Sequence, residues 1–249
     1  MNKKLHYIIL LVVAILFISV GVFLLKNNEI SSNEFTDSGE MDSSTPMPTA
    51  IPIQIDNDTG YSVVANNINS DMALAFLIHS NEETNQMLKI TVNLFNENHE
   101  VVFNSEVYVP ILGQNYYANA VPYIDENGDM LNVKSAQVQI SKQGEYNTNL
   151  KSDSVYLDYS NQVVERKLET KLSLTYQGDI PINNIMGNVV ALKNNQIVAL
   201  TSFSQETVES GIATAIEVPD ITLVGTENVE NLYDSVLVFI NSFGFSTES

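Results

Sequence analysis

Few residues in this sequence have the types and spacing that chemistry requires, and the most promising set lies in one short acidic stretch. Asp125, Asn127 and Asp129 place three side-chain oxygens at positions 1, 3 and 5, as a calcium-binding loop does. A glycine, however, stands at position 4 instead of 6, and Ala136 occupies position 12, where such a loop has a glutamate. An Asn-Gly pair also forms tight turns between strands without any metal. The sequence therefore favours a turn and leaves calcium as the alternative and as the one cofactor considered.

Nucleophilic catalysis finds little support in the residue types. The chain contains no cysteine, and no serine lies in a G-x-S-x-G or S-x-x-K pattern. The three histidines are His6 in an apolar segment, His79 at the end of a predicted strand and His99 in a predicted turn. These positions favour structural roles, and we predict that the protein is not an enzyme.

Two adjacent aromatic residues offer a binding surface instead. Because neighbouring side chains of a strand point to opposite faces, either Tyr116 or Tyr117 must point away from the core. Exposed tyrosine is enriched at protein interfaces. We therefore predict Tyr116 and Tyr117 as candidate residues for binding a protein partner.

The elements that would carry these residues follow a long apolar segment. Residues 5–25 contain no formal charge, and a helix of that length covers roughly 30 Å, about the thickness of a hydrocarbon core. Lys3 and Lys4 precede this segment and only Lys26 follows it closely, which places the N-terminus in the cytoplasm by the positive-inside rule. We predict an uncleaved, single-pass membrane anchor with residues 27–249 outside the cytoplasm. A cleaved signal peptide is the alternative, but its apolar region is usually shorter.

The charge balance excludes one class of partner. The chain has 11 Lys and Arg against 30 Asp and Glu, a formal net charge of −19. Phosphate backbones are bound by clustered basic side chains, so nucleic acid is a poor partner for this surface. Since no disulfide can form, the exported part must be stabilised by buried apolar surface.

Beyond the anchor, the chain is predicted to be all-β. Residues 27–55 are rich in Ser, Thr, Asn and acids and end with three prolines, which indicates a flexible stalk. Apolar and polar residues then alternate with period two, most clearly over residues 88–94, 136–140 and 168–176. Sequence pairs such as Asn127-Gly128 separate these predicted strands.

The predicted strands fall into two similar units. Gly113 lies 19 residues after Leu94 in one, and Gly211 lies 19 residues after Leu192 in the other. Short alternating strands with regular turns, repeated twice, are typical of tandem β-sandwiches. The full predicted organisation is a cytoplasmic tip with the anchor (1–26), a stalk (27–55), and two immunoglobulin-like β-sandwiches (56–142 and 153–243).

The first unit resembles the FxLYD family of immunoglobulin-like domains, which occur in secreted and membrane-anchored bacterial proteins. Residues 92–96, VNLFN, stand where that family has Phe-x-Leu-Tyr-Asp, and residues 112–116 resemble its Pro-Gly-Glu loop. Three of the five motif positions differ in type, and the loop proline is missing. The resemblance implies a β-sandwich outside the cytoplasm and carries no catalytic residue.

Together these patterns predict a function in binding. The first hypothesis is a membrane-anchored, extracytoplasmic protein with a binding or scaffold role at the cell surface. The alternative is an accessory subunit of a membrane transporter, secretion or sensor complex, docked through its helix. The sequence does not identify the ligand.

Overall fold

A computed structural model describes residues 51–68, 72–83, 85–111, 115–146, 154–225, 228 and 231–245. Within these ranges the regular elements are fourteen strands, which confirms the all-β prediction there. No helix in these ranges has the length and apolarity needed to cross a membrane. The predicted anchor (5–25), the predicted cytoplasmic tip and most of the predicted stalk lie outside the described residues. The strands are β1 (Ile53–Asn57), β2 (Ser62–Ile68), β3 (Ala73–His79), β4 (Gln86–Phe95), β5 (Val101–Ile111), β6 (Tyr116–Pro122), β7 (Ser135–Glu145), β8 (Val155–Val164), β9 (Lys167–Tyr176), β10 (Ile182–Lys193), β11 (Gln196–Val208), β12 (Thr214–Ile216), β13 (Ile221–Thr222) and β14 (Ser235–Phe245).

The first half of the described chain, β1 to β7, forms two sheets around an apolar core. One sheet has the order β1-β7-β4-β5 and the other the order β2-β3-β6. All neighbours are antiparallel except β1, which runs parallel to β7. The alternation in β4 explains why one face of its sheet packs on the core. Every second residue from Gln86 to Leu94 is buried, while the residues between are partly exposed. The core comprises Leu88, Ile90 and Leu94 from β4, Val138 and Ile140 from β7, and Leu74, Phe76 and Ile78 from β3.

The second half, β8 to β14, repeats this arrangement. Strand β9 pairs with β8 on one side and with β12 and β13 in succession on the other, and a second sheet has the order β11-β10-β14. In chain order, the β8–β9 and β10–β11 hairpins therefore correspond to β2–β3 and β4–β5, and β14 corresponds to β7. Leu168, Leu174, Ile182, Ile185 and Val189 are among the fully buried residues between the two sheets.

The sheets β2-β3-β6 and β11-β10-β14 also pack against each other. A third apolar cluster joins Ala75 and Leu77 of β3 to Val190 of β10, Ile197 of β11 and Phe239 of β14. As a result β3 is buried on both faces, from Ala73 to Ile78. The four sheets therefore form consecutive layers, and the described residues between 51 and 245 belong to one compact unit.

One detail differs from the sequence expectations. Strand β1 begins at Ile53, inside the range expected to be stalk, because Ile53 packs against the core of the first half. Gly211 has φ = +72°, a conformation that favours glycine, whereas Gly113 lies outside the described residues.

Candidate functional site

The predicted calcium residues form a closed turn between β6 and β7. The Asp125 Oδ1 atom accepts hydrogen bonds from the backbone N–H groups of Asn127, at 2.8 Å, and Asp129, at 2.9 Å. The bond from Asp129, followed by that from Asn127, lowers the pKa of Asp125. The carboxylate that would lead a calcium loop therefore holds the turn itself. No group of three or more His, Cys, Asp or Glu in the described ranges is arranged to hold a metal ion, and calcium binding stays a prediction.

The two predicted tyrosines point to opposite faces of β6, as the alternation requires. Tyr117 is buried in the core of the first half, where burial raises its pKa to about 12. Tyr116 is half-buried, stacks on His79 with 4.2 Å between ring centroids, and lies 5.4 Å from the ring of Phe239. Tyr116 thus packs between the two halves of the chain, and its role toward a separate partner stays a prediction. Tyr116 begins β6 and Asp125 follows the other end of that strand, so the two predicted sites are not brought together.

A different surface places functional groups side by side. On the face of β1-β7-β4-β5 that points away from the core, the residue register aligns Gln54 with Gln137, Gln137 with Asn93, and Asn93 with Asn104. These four carboxamides, one from each strand, form a row across the sheet that we call the amide ladder. Neighbouring strands are about 4.8 Å apart, so the ladder repeats a donor and an acceptor at that interval.

Hydrogen bonds orient the amide ladder. Gln54 and Gln137 each donate from Nε2 to the Asp56 carboxylate, at 2.9 and 2.6 Å, and these bonds, led by that from Gln54, lower the Asp56 pKa. At the other end of the row, Asn104 Nδ2 donates to Asn93 Oδ1 at 2.7 Å. Gln54 and Asn104 are exposed, while Gln137 and Asn93 are half-buried. A carboxamide carries two N–H donors and one carbonyl acceptor, so these bonds fix the amides and leave further donors and acceptors for a ligand.

The rows beside the amide ladder are close to electrically neutral. Asp56 aligns with Gln139, Thr91 and Glu106, and the next row contains Lys89 opposite Tyr108. Lys89 pairs with Glu106 at 2.8 Å, which raises the pKa of Lys89 and lowers that of Glu106. One ammonium and two carboxylates give these rows a net charge of −1, against −19 for the whole chain.

A shallow cleft of about 410 Å³ adjoins the amide ladder at the end of β4. This volume lies at the lower end of the range for small-molecule sites, roughly 300–1,000 Å³. The half-buried ring of Phe95 and the side chains of Gln54 and Gln137 line it together with His99 and Ser135. The cleft thus combines an apolar ring with neutral polar groups.

The β4–β5 turn places His99 at the cleft. Asn96 Oδ1 accepts the N–H groups of Asn98 and Glu100 at 2.9 and 3.0 Å, and the His99 N–H donates to the Asn96 carbonyl at 3.1 Å. His99 takes φ = +60° to complete this tight turn. The turn predicted from the sequence around His99 therefore also contributes to the lining of the cleft.

No known protein family and no curated protein matches this chain. The resemblance to the FxLYD family consequently stays a prediction, and the function must be argued from the surface itself.

Sequence reasoning did not find the amide ladder. The signal was present, because Asn93 and Gln137 occupy the water-facing positions of alternating strands, where charged residues are also common. Only the register of four strands, two of them far apart in sequence, shows that these amides form one row.

Proposed function

We propose that this protein is a membrane-anchored, extracytoplasmic binding protein whose ligand lies on the amide ladder and the adjoining cleft. The apolar segment 5–25 supports anchoring, and the acidic surface argues against nucleic acid as the ligand. The corresponding strand orders β5-β4-β7 and β11-β10-β14 support two tandem immunoglobulin-like β-sandwiches, in agreement with the FxLYD resemblance.

The single observation that carries this proposal is the pre-orientation of the ladder. Its four amides are held by hydrogen bonds to each other or to Asp56, so part of their side-chain freedom is already lost before a ligand binds. Such a set of fixed, neutral donors and acceptors beside an aromatic ring suits recognition through hydrogen bonds and apolar contact.

The same geometry argues for binding without catalysis. Asp56 and Glu106 are the carboxylates in the row beside the ladder, and hydrogen bonds lower the pKa of each, which makes both weaker bases. Carboxamides neither accept nor release protons near neutral pH. The non-enzymatic function expected from the sequence is therefore part of the proposal.

Site-specific photo-cross-linking tests the proposal. A benzophenone amino acid would replace Asn104, an exposed member of the ladder, in the full chain in membranes of the producing cell. The control places the same group at Gln162, an exposed amide on β8 in the sheet furthest from the ladder. We expect ultraviolet light to give an adduct from position 104 and none from position 162. Equal yields from both positions, or no adduct from position 104, would contradict the proposal.

The identity of the adduct separates the two functional hypotheses. A cell-surface ligand supports the binding or scaffold role. A membrane protein captured in fixed ratio to this chain, and co-purified with it from solubilised membranes, would favour the accessory subunit instead.

A further inference from the structure

The chemistry of the amide ladder indicates a class of ligand. We infer that the ladder and the cleft bind a neutral glycan chain that lies across the strands of β1-β7-β4-β5. This inference rests on the proposed function and specifies its ligand.

The first argument is the match of functional groups. A sugar hydroxyl both donates and accepts a hydrogen bond, and a carboxamide is the neutral side chain that can do both. Gln54, Gln137, Asn93 and Asn104 each present this pair of groups on the same face. A ligand that carried only acceptors could bond only the N–H groups of these amides, and one that carried only donors could bond only their carbonyl groups.

The second argument is spacing. The ladder advances by one strand, about 4.8 Å, from each amide to the next. That interval is close to the advance per sugar residue in an extended glycan chain, so successive sugars can meet successive amides. A peptide strand does not fit as well, because its side chains on one face repeat at about 6.8 Å.

The third argument is the aromatic ring beside the row. Phe95 follows Asn93 on the same face of β4 and lines the cleft together with Gln54 and Gln137. The apolar C–H face of a pyranose can cover such a ring, which removes both surfaces from water. Exposed Tyr108 supplies a second ring at the other end of this face.

The fourth argument is charge. The rows around the ladder carry a net charge of −1, and the whole chain carries −19. The negative charge of this protein would repel a glycan with carboxylates. Sites that bind carboxylates supply arginine or lysine, whereas the ladder supplies only amides. Neutral sugars meet neither penalty.

Calorimetry on the full chain in lipid nanodiscs tests the inference. The probes are neutral hexasaccharides of glucose, N-acetylglucosamine, mannose and xylose, with hexagalacturonate as the acidic comparison. We expect at least one neutral probe to bind and the acidic probe to bind at least about tenfold more weakly. If no neutral probe binds better than hexagalacturonate at millimolar concentration, the inference is wrong.

Two variants locate the binding surface. Asn93→Asp keeps the acceptor for Asn104 and the side-chain shape but removes two N–H donors, and Phe95→Ala removes the ring. Each should lower the affinity for the neutral probe by about tenfold or more. The control Gln162→Ala removes an amide bonded to Glu169 on another sheet and should leave that affinity within about twofold. Unchanged binding by Asn93→Asp, with the melting temperature of the unmodified chain, would overturn the inference.

The cross-linking test and the calorimetric test can fail independently of each other. A cross-link from position 104 to something other than a neutral glycan would refute this inference and leave the proposed function standing. The lack of any ligand in both tests would refute both.

Discussion

Asn66 joins the two halves through two hydrogen bonds, and its removal should lower the stability of the protein. From β2, its Nδ2 donates to the Ile197 carbonyl at 2.7 Å, and its Oδ1 accepts the Ile197 N–H at 2.9 Å. Ile197 is only 1% exposed, so both backbone groups are buried at the edge of β11. The side chain thus substitutes for a neighbouring strand at that point.

The expected magnitude follows from these two bonds. Each buried backbone group left without a partner costs about 1–3 kcal/mol. Because Asn66 is itself half-buried, water can reach part of the site, and we expect Asn66→Ala to lower the free energy of unfolding by about 2–3 kcal/mol. For a unit of this size, the melting temperature should fall by about 4–12 °C.

Urea unfolding and scanning calorimetry would measure the change. Asn104→Ala is the matched control, since it removes an exposed amide that bonds only a side chain in the structure described above, and should cost less than about 0.5 kcal/mol. Asn66→Asp should also destabilise, because a carboxylate oxygen would face the Ile197 carbonyl. A loss in Asn66→Ala no larger than that of Asn104→Ala would refute the reasoning.

Three further predictions concern two glycines and one tyrosine. A Cβ at Gly187 would lie well inside contact distance of the Phe203 ring and the Phe239 carbonyl, so Gly187→Ala should cost about 1–3 kcal/mol in urea unfolding through overpacking. A Cβ at Gly211 would meet nothing within 4 Å, and Gly211→Ala should cost about 1 kcal/mol through its positive φ alone; equal stability of the unmodified and Gly211→Ala chains would contradict this. Burial raises the pKa of Tyr117 to about 12, whereas the pKa in the unfolded chain is near 10. The stability that neutral Tyr117 contributes should therefore be complete below pH 10. It should decline between pH 10 and 12 by up to roughly 2–3 kcal/mol. Tyr117→Phe should remove that part of the alkaline decline, and an identical pH profile for both chains would show that Tyr117 is not its source.

The strands could be predicted wherever one face meets water. Residues 88–94 and 168–176 alternate in burial as they alternate in polarity, because each lies in an outer layer of the stack. Strand β3 could not be interpreted this way, since it is apolar from Ala73 to Ile78 and both faces of that stretch are covered. A continuous apolar run shows that a strand is buried, but not which two surfaces cover it.

The predicted sites show the same limit of predicting structure from short sequence patterns. The spacing of Asp125, Asn127 and Asp129 is compatible with a metal loop or a turn, and hydrogen bonds to backbone amides determined the observed shape. The amide ladder depends instead on pairings between residues as distant as Gln54 and Gln137. Such pairings are set by the packing of whole sheets and are not encoded in any short stretch.

The parallel pairing of β1 with β7 has a consequence for folding during synthesis. Ile53 and its partner Ala136 are 83 positions apart, so β1 leaves the ribosome well before the strand that it will join. At about 5–20 residues per second, β1 waits roughly 4–17 s for that partner. The hairpins β2–β3 and β4–β5 can close in the meantime, because their partners follow directly in the chain. Gln54 therefore joins the amide ladder only after β7 has been made, and the proposed ligand face of the nascent chain stays incomplete until most of the first half has emerged.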